Sequence, residues 1–162
     1  MELNPLEKFY TKGYFRASWK FQTDPIRLQE IFDKIMLLKP RSILDVGCGR
    51  GYLVKKLNEA GIPTKGLDFA RSVMGSMKVS PDVVLGDALN LPFFDKSFEL
   101  VVSTDFFEHI PGSDVDRVYD EMKRVGDRIA ARIAFDGKEN EYHLTVKPEK
   151  WWKNKFPDLI LI

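Results

Sequence analysis

The sequence predicts an α/β fold in which a mostly parallel β-sheet carries helices on both faces. Two observations predict it. Short apolar runs alternate along the chain with stretches whose apolar residues recur at helical spacing. Glycine, proline and aspartate, which favour turns, separate most of these runs. Strands that alternate with helices form βαβ units, and such units build a parallel sheet covered on both sides.

The first predicted helix begins at Asp24 and ends before Pro40. Asp24 is a good N-cap, and Pro25 suits the first helical position. The preceding segment is rich in aromatic residues and includes Tyr10, Tyr14, Arg16 and Trp19. We predict that residues 1–40 form an N-terminal aromatic arm and helix packed on a domain formed by residues 41–162. A lid over a bound ligand is the alternative for the four named arm residues.

The remaining elements follow in alternation. The predicted strands are, in order, SILDV, TKGLD, DVVLGD, FELVVST and RIAARIAF, with DLILI as a sixth. Helices are predicted between them over Tyr52–Ala60, Ala70–Lys78, Ser113–Gly126 and Pro148–Phe156. Ser113 is the predicted cap of the third of these, because Asp116 completes an S-x-x-D start. This order gives a Rossmann-like three-layer sandwich.

The composition is that of one globular domain. The chain has 162 residues, of which 44% are hydrophobic and 30% charged. The formal net charge of +1 gives no global sign of a nucleic-acid binder. The single cysteine, Cys48, excludes an intrachain disulfide and a multi-cysteine zinc site. Because no stretch is long enough to span a membrane and the N-terminus lacks a signal-peptide core, we expect a cytoplasmic protein without a membrane partner.

Acidic residues and glycines lie where the predicted strands end, which is where parallel sheets bind ligands. Asp45 precedes three glycines, Asp68 ends the second strand and Asp87 ends the third. Glycine lets backbone approach a ligand closely. An acid about 20 residues beyond the glycines accepts ribose hydroxyls in adenosine-binding folds. A tight turn without a ligand is the alternative, and the matched acids make it the weaker one.

The glycine spacing indicates which adenosine ligand fits. Dinucleotide-binding loops read G-x-G-x-x-G, whereas this one reads GCGRG, and Tyr52 stands in place of the third glycine. Asp45 would repel a pyrophosphate and suits a cationic group. The pattern therefore favours a nucleoside with an amine-bearing, positively charged part. It argues against the alternative of a nucleotide-dependent oxidoreductase.

Four motifs in order resemble those of class I methyltransferases that use S-adenosylmethionine, of the small methyltransferase-domain type. They are ILDVGCGRG, GLDFA, GDALNLPF and SFELVVSTDFFEHI, and YDEMKRVGDRIAARIAF resembles the helix and strand that follow. The resemblance covers about Ser42–Phe135. It implies S-adenosyl-L-methionine as cofactor. The family's C-terminal seventh strand has no counterpart here, so we expect six strands.

The resemblance also implies residue roles. Asp45 and the turn formed by Gly47, Cys48, Gly49 and Gly51 would hold the methionine end of the cofactor. Asp68 would take the ribose hydroxyls. Around the adenine and the methyl group it implies Phe69, Asp87, Ala88, Leu89, Ser103 and Thr104.

Three residues after the fourth strand are candidates for a general base, namely Asp105, Glu108 and His109. The alternative is that His109 caps the loop and Glu108 is solvated. Phe106 and Phe107 either wall an acceptor pocket or belong to the core. We predict no metal site, because two distant histidines and scattered acids lack ligand spacing.

The predicted function is methyl transfer to an oxygen or nitrogen of an unidentified acceptor. Methylation of cytosine carbon requires a cysteine nucleophile, and the only cysteine lies in the glycine turn. A small molecule is the preferred acceptor, and an exposed group on protein or RNA is the other possibility. The alternative is a cofactor-binding pseudoenzyme or regulatory subunit that acts through a partner protein. An exposed sheet edge would allow a homodimer.

Overall fold

The computed structural model describes residues 23–70, 80–137, 139–140 and 142–162. The strands are β1 (Ile43–Val46), β2 (Thr64–Asp68), β3 (Val83–Leu85), β4 (Phe98–Thr104), β5 (Gly126–Arg132) and β6 (Leu159–Leu161). They form one parallel sheet in the order β3-β2-β1-β4-β5-β6. The predicted six-stranded α/β fold is confirmed. The aromatic arm with Tyr10, Tyr14, Arg16 and Trp19, and nearly all of the helix predicted over Ala70–Lys78, lie outside the described residues.

The strand order reverses at β1, which places a topological switch point between β1 and β4. Asp45 is in register with Gly66 of β2 and with Val102 of β4. Because the three strands are parallel, their carboxyl ends lie at one edge of the sheet. This register brings the residues after Val46, Leu67 and Val102 to the same place.

Within the described ranges the helices are α1 (Pro25–Leu37), α2 (Tyr52–Glu59), α3 (Val115–Val125) and α4 (Glu149–Lys155), with a 3-10 helix over Phe107–His109 between β4 and α3. The predicted start of α1 is confirmed, since the Asp24 carboxylate accepts hydrogen bonds from the amides of Ile26 and Arg27. Each helix buries apolar side chains, such as Ile35 of α1 and Met122 of α3, on the side that faces the sheet.

Both ends of α3 differ from the prediction. Asp114, and not Ser113, is the N-cap residue of α3, and its side chain makes no capping bond. At the other end Gly126 is extended and begins β5, which therefore starts before the predicted run RIAARIAF and ends at Arg132. A Cβ on Gly126 would lie 2.4 Å from Val101 Cγ2. The helix can pass directly into the strand against β4 because no side chain is in the way.

Alternate strand residues bury against opposite faces of the sheet. Leu44 and Val101 belong to a cluster that also contains Met122 of α3 and Trp152 of α4. Leu100 belongs to a second cluster on the other face, with side chains from α1 and α2. Burial on both faces explains why the strands read as continuous apolar runs rather than alternating ones.

Candidate functional site

A glycine turn joins β1 to α2 and carries the backbone past the strand ends. Gly47, Gly49 and Gly51 have φ values of 76°, 55° and 79°, a region that L side chains rarely adopt. A Cβ on Gly47 would lie 2.4 Å from Phe106 Cδ2, so the turn packs against the segment after β4. The amides of Gly47 and Cys48 both donate to the Leu67 carbonyl, at 2.8 and 3.1 Å. The turn is thus fixed between β2 and β4.

Cys48 is a packing residue within this turn. Its side chain is buried with Val54 and Val83. Burial raises the pKa of the thiol well above its ordinary value, and the neighbouring Asp45 and Asp68 act in the same direction. A thiol of this kind is not a nucleophile at neutral pH, which agrees with the sequence argument against a cysteine mechanism.

Asp45 carries a buried carboxylate oxygen to which no described residue donates a hydrogen bond. The residue is 1% exposed, and its Oδ1 has no hydrogen-bond partner among the described residues. Burial, and next the charge of Asp68, raise the pKa of this carboxyl to about 7. A buried acceptor without a donor is costly. The ammonium group of S-adenosylmethionine is a positively charged hydrogen-bond donor, which is the kind of partner that this carboxylate oxygen needs, so the residue fits the cofactor.

Asp68 lies beside it at the end of β2. Its Oδ2 accepts from the amide of Gly49 and its Oδ1 from the amide of Ala70, each at 3.0 Å. Burial raises the pKa of Asp68, and these backbone bonds oppose the shift. The Phe69 amide also bonds to this carboxylate, and a carboxylate accepts about four hydrogen bonds, so acceptor capacity remains for a ligand. The geometry fits acceptance of hydrogen bonds from two ribose hydroxyls.

The third acid, Asp87, lies in a turn after β3. The amide of Gly86 donates to the Asp68 carbonyl at 3.0 Å, which holds the turn against the end of β2. Asp87 is exposed, and its Oδ1 accepts from the amide of Leu89 at 2.9 Å. Ala88 is buried and Leu89 half-buried. The structure therefore brings the three predicted acids to one edge, with Asp87 at its outer rim.

The end of β4 holds a second unsatisfied polar group. Ser103 is fully buried, and its Oγ has no partner among the described residues. Thr104 follows it and is half-buried. Ser103 is one position beyond the residue in register with Asp45. The adjacent strands that flank the switch point thus each carry one buried oxygen, on Asp45 and Ser103, that no described residue satisfies.

Asp105 differs from the other candidate bases. It adopts φ 49°, and its carboxylate forms ion pairs with Arg27 and Arg132. Its amide donates to the Arg132 carbonyl at 2.9 Å. The residue joins the end of β4 to β5 and to α1.

Phe106 and Phe107 have different surroundings. Phe106 is half-buried and lies against Gly47. Phe107 is fully buried, and its ring lies 5.6 Å from Trp152 and 6.5 Å from Phe156, measured between centroids. Phe107 is therefore core, whereas Phe106 lines the glycine turn.

The alternative in which Glu108 is solvated is wrong. Glu108 is 1% exposed, and its Oε1 accepts weakly from the amide of Ala134 at 3.3 Å. Its Oε2 is buried without a hydrogen-bond partner among the described residues. Burial raises the pKa of this carboxyl.

The expectation that the two histidines are distant is also wrong. His109 is buried, with Nδ1 2.6 Å from the carbonyl of Tyr142, and burial lowers its pKa to about 4. The ring of His143 lies 4.9 Å from that of His109. One ligand atom each from Glu108, His109 and His143 lies within 4.8 Å of the others. The signal in the sequence is that these histidines follow the ends of β4 and β5, which are neighbouring parallel strands.

These features define the class of protein. A six-stranded parallel sheet, a glycine turn after β1 and acids at or just beyond the carboxyl ends of β1, β2 and β3 are those of a class I S-adenosylmethionine-dependent methyltransferase fold. A family model described as "Methyltransferase domain" matches residues 44–128, and the chain belongs to this family. The predicted family and the predicted cofactor, S-adenosyl-L-methionine, are confirmed.

Two curated relatives show the range of proteins that share this domain. Norajmaline N-methyltransferase of Rauvolfia serpentina is 35% identical over 125 residues, which cover 70% of this chain and 41% of the relative. A probable tRNA (uracil-O(2)-)-methyltransferase of Caenorhabditis briggsae is 34% identical over 94 residues, covering 52% of this chain and 16% of the relative. The chain spans less than half the length of these relatives.

Two solved structures share the fold at 16% identity. Magnesium protoporphyrin IX methyltransferase from Synechocystis PCC 6803, solved with bound S-adenosylmethionine, has a TM-score of 0.67 and covers 94% of this chain and 83% of its own. A chain in the complex of the Haloferax volcanii methyltransferase activator Trm112 has a TM-score of 0.68, covering 98% of this chain and 76% of its own. In the part of the chain that the structure describes, no helix has the length and apolarity to cross a bilayer.

Proposed function

We propose that this chain is the catalytic domain of a methyltransferase that acts on an oxygen or nitrogen of a small-molecule acceptor. The observation that carries the proposal is the buried carboxylate oxygen of Asp45, which has no partner in the described part of the chain and lies beside a turn of left-handed glycines. When bound, S-adenosylmethionine supplies a methyl group activated by the positive charge on sulfur. The chain's own residues then have to bind, orient and shield the reacting groups.

Cofactor binding is assigned to residues at the ends of β1, β2 and β3. Asp45 and the backbone of Gly47–Gly51 receive the methionine end, and Asp68 receives the ribose. The adenine would be held by Phe69, Asp87, Ala88 and Leu89. The support is positional, since Asp68 already organises the turn by accepting from Gly49 and Gly86 holds the Asp87 turn against Asp68.

Ser103 and Thr104 border the acceptor side, and Ser103 Oγ is a group that a bound ligand would satisfy. Alignment of the acceptor with the methyl carbon supplies much of the rate in a displacement of this kind. Among the three candidate bases, Asp105 is already engaged by two guanidinium groups, and we assign it a positioning role. Glu108, which is buried beyond the end of β4 and has a raised pKa, is the residue proposed to receive a proton. Burial lowers the pKa of His109 to about 4, which makes its imidazole the weaker base.

A small molecule is the acceptor proposed here because the electrostatics favour no polyanion. A formal net charge of +1 supplies little of the phosphate attraction that dominates RNA binding. One relative is named for N-methylation of norajmaline. The other is named for O-methylation of tRNA uracil, so an exposed RNA or protein group is the competing acceptor.

The test is calorimetric titration with S-adenosylhomocysteine, the demethylated product. We expect one site per chain, and Asp68→Ala should weaken binding at least tenfold because two ribose hydroxyls lose their acceptor. Asp127→Ala is the matched control, since Asp127 is exposed near the start of β5, at the opposite edge of the sheet. Absence of binding at near-millimolar ligand would contradict the proposal, and equal affinity of both variants would remove Asp68 from the site.

A regulatory subunit that acts through a partner is the second candidate. Within the described ranges β6 pairs only with β5, so its outer edge presents unpaired backbone groups. Such an edge suits a second protein or a second copy of this chain. Light scattering of the purified chain together with a methyl-transfer assay over a panel of acceptors separates the two candidates. A monomer that methylates an acceptor without a partner would exclude the subunit role.

A further inference from the structure

Glu108, His109 and His143 form a cluster separate from the residues proposed to bind the cofactor. They lie beyond the ends of β4 and β5, and one nitrogen or oxygen from each falls within 4.8 Å of the others. Ligands that share one metal ion at bond lengths of about 2.0–2.2 Å are about 3–3.5 Å apart. Small side-chain rotations close that difference. Two imidazoles and one carboxylate are a donor set that zinc and other first-row divalent ions accept.

Glu108 gives the first independent sign of a missing ligand. Its Oε2 is buried and has no hydrogen-bond partner among the described residues, and the contact of its Oε1 with the Ala134 amide is long, at 3.3 Å. Buried carboxylates are normally paired with a cation, a metal or several donors. An ion on this oxygen would remove the deficit.

The second sign is that His109 is already oriented. Its Nδ1 lies 2.6 Å from the Tyr142 carbonyl oxygen, and a carbonyl can only accept, so Nδ1 carries the proton. In the neutral ring Nε2 then keeps its lone pair. Metal-ligating histidines are typically held in this way, with the other ring nitrogen donating to a backbone carbonyl.

The third sign is the rigidity of the segment that presents His143. The amides of Leu144 and Thr145 donate to the Glu108 carbonyl at 2.7 and 3.0 Å. The amide of His143 donates to the Asn140 side chain at 3.0 Å, in a turn closed by a bond from the Asn140 amide to the His143 carbonyl at 2.9 Å. The backbone around His143 is therefore tied to the backbone of Glu108, and the three side chains are held together before any ion binds.

We propose that Glu108, His109 and His143 bind one divalent first-row metal ion, and that three protein ligands leave coordination positions open for an acceptor atom. The cluster lies just beyond the end of β4, where Ser103 and Thr104 border the proposed acceptor side. The ion would therefore lie on that side of the sheet edge. A bound ion would take the place of Glu108 and His109 as candidate proton acceptors, because a lone pair that ligates a metal cannot accept a proton. This role in catalysis rests on the proposed function, whereas the binding of the ion does not.

The experiment uses the full chain without a histidine tag, stripped with chelator and free of S-adenosylmethionine. Cobalt, manganese and zinc chlorides are titrated by calorimetry, and the two histidine rings are followed by long-range proton–nitrogen NMR. The chain contains only two histidines, so any histidine signal reports on this cluster alone. We expect one ion per chain, with manganese broadening the resonances of both rings.

Two variants test the ligands. Glu108→Gln and His143→Ala should each weaken binding at least tenfold, and His143→Ala removes the half-buried member, whose loss leaves the core intact. Glu139→Gln is the matched control, because Glu139 is an exposed acid in the same loop and pairs with Lys147. It should bind the ion as the unchanged chain does.

No saturable binding, or binding that both variants retain while circular dichroism shows them folded, would overturn the proposal. Ion binding that leaves both histidine resonances sharp would overturn it as well, since the ion would then lie on acids elsewhere. Cofactor binding is measured separately with S-adenosylhomocysteine, so a metal-free protein that binds this product would leave the proposed function standing.

Discussion

Replacement of Asp45 by asparagine separates the charge of this side chain from its shape. The carboxyl is 1% exposed, and burial first and Asp68 second raise its pKa to about 7 from 3.8. The folded protein therefore holds this proton more tightly than the unfolded chain does. Linkage then requires the free energy of unfolding to fall as the pH rises from about 4 to about 7. Over that range the unfolded chain has released the proton of Asp45, whereas the folded protein still holds it.

The magnitude follows from the size of the pKa change. A difference of about three pH units corresponds to about 4 kcal/mol, at 1.36 kcal/mol per unit. Asparagine has the same shape and no proton to lose. The stability of Asp45→Asn relative to the unchanged protein should therefore rise with pH, from near zero at pH 4 toward about 4 kcal/mol at pH 8.

Urea unfolding at several pH values between 4 and 8 measures this difference. Asp68 and Glu108 also have raised pKa values and make every curve slope in the same direction. Only the difference between variant and unchanged protein is diagnostic, because the other groups contribute to both. Asp87→Asn, at the exposed rim of the same edge, controls for the change in net charge. An Asp45→Asn difference that stays constant with pH would refute the reasoning.

The same substitution should act in the opposite direction on ligand binding. The ammonium of S-adenosylhomocysteine would lose its charged partner. Hydrogen bonds to charged groups contribute about 1.5–3 kcal/mol, so affinity at pH 8 should fall about 10- to 100-fold. Greater stability with lower affinity is the expected trade-off at a site that stores an unsatisfied charge. A more stable variant that binds equally tightly would place the ligand elsewhere.

Three further substitutions test the packing around the site. Gly47→Ala should lower the free energy of unfolding by about 2–4 kcal/mol, because its Cβ would meet Phe106. Gly61 is also at positive φ but has nothing within 4 Å of its Cβ position, so Gly61→Ala should lose only about 1–2 kcal/mol, for the backbone. Equal losses in thermal unfolding would contradict the contact with Phe106. Trp152→Ala should lose about 3–5 kcal/mol and half-buried Trp151→Ala clearly less, and urea midpoints in the reverse order would be incompatible with Trp152 as core. Asp105→Val should be less stable than Asp105→Asn by about 1–2 kcal/mol, since valine tolerates φ 49° poorly, and a valine variant as stable as the asparagine one would show that the backbone conformation is unstrained.

Much of the fold could be predicted because its signals are local. The strands read as apolar runs since both faces of the sheet are buried, and Asp24 with Pro25 marks the start of α1 through groups within one turn. The glycine turn was predictable for a similar reason, because three positive φ values in five residues leave few residue types available. The start of α3 was not predictable, since Ser113 and Asp114 are both acceptable caps and Asp114, the N-cap residue, makes no side-chain capping bond.

The residues after β4 show why the rest of the site could not be predicted. The chain turns at Asp105 with positive φ and enters a 3-10 helix, in which three residues complete a turn. Neighbouring side chains therefore leave in different directions, so that Phe106 reaches Gly47, Phe107 enters the core and Glu108 is buried near Ala134. No periodicity in the sequence distinguishes these three environments. The approach of His143 to His109 depends further on the parallel pairing of β4 with β5, a long-range contact that brings the two loops together. The residues proposed to bind the cofactor are thus predicted by local motifs. The residues on the proposed acceptor side, including those of the proposed metal site, come together only through the long-range pairing of β4 with β5.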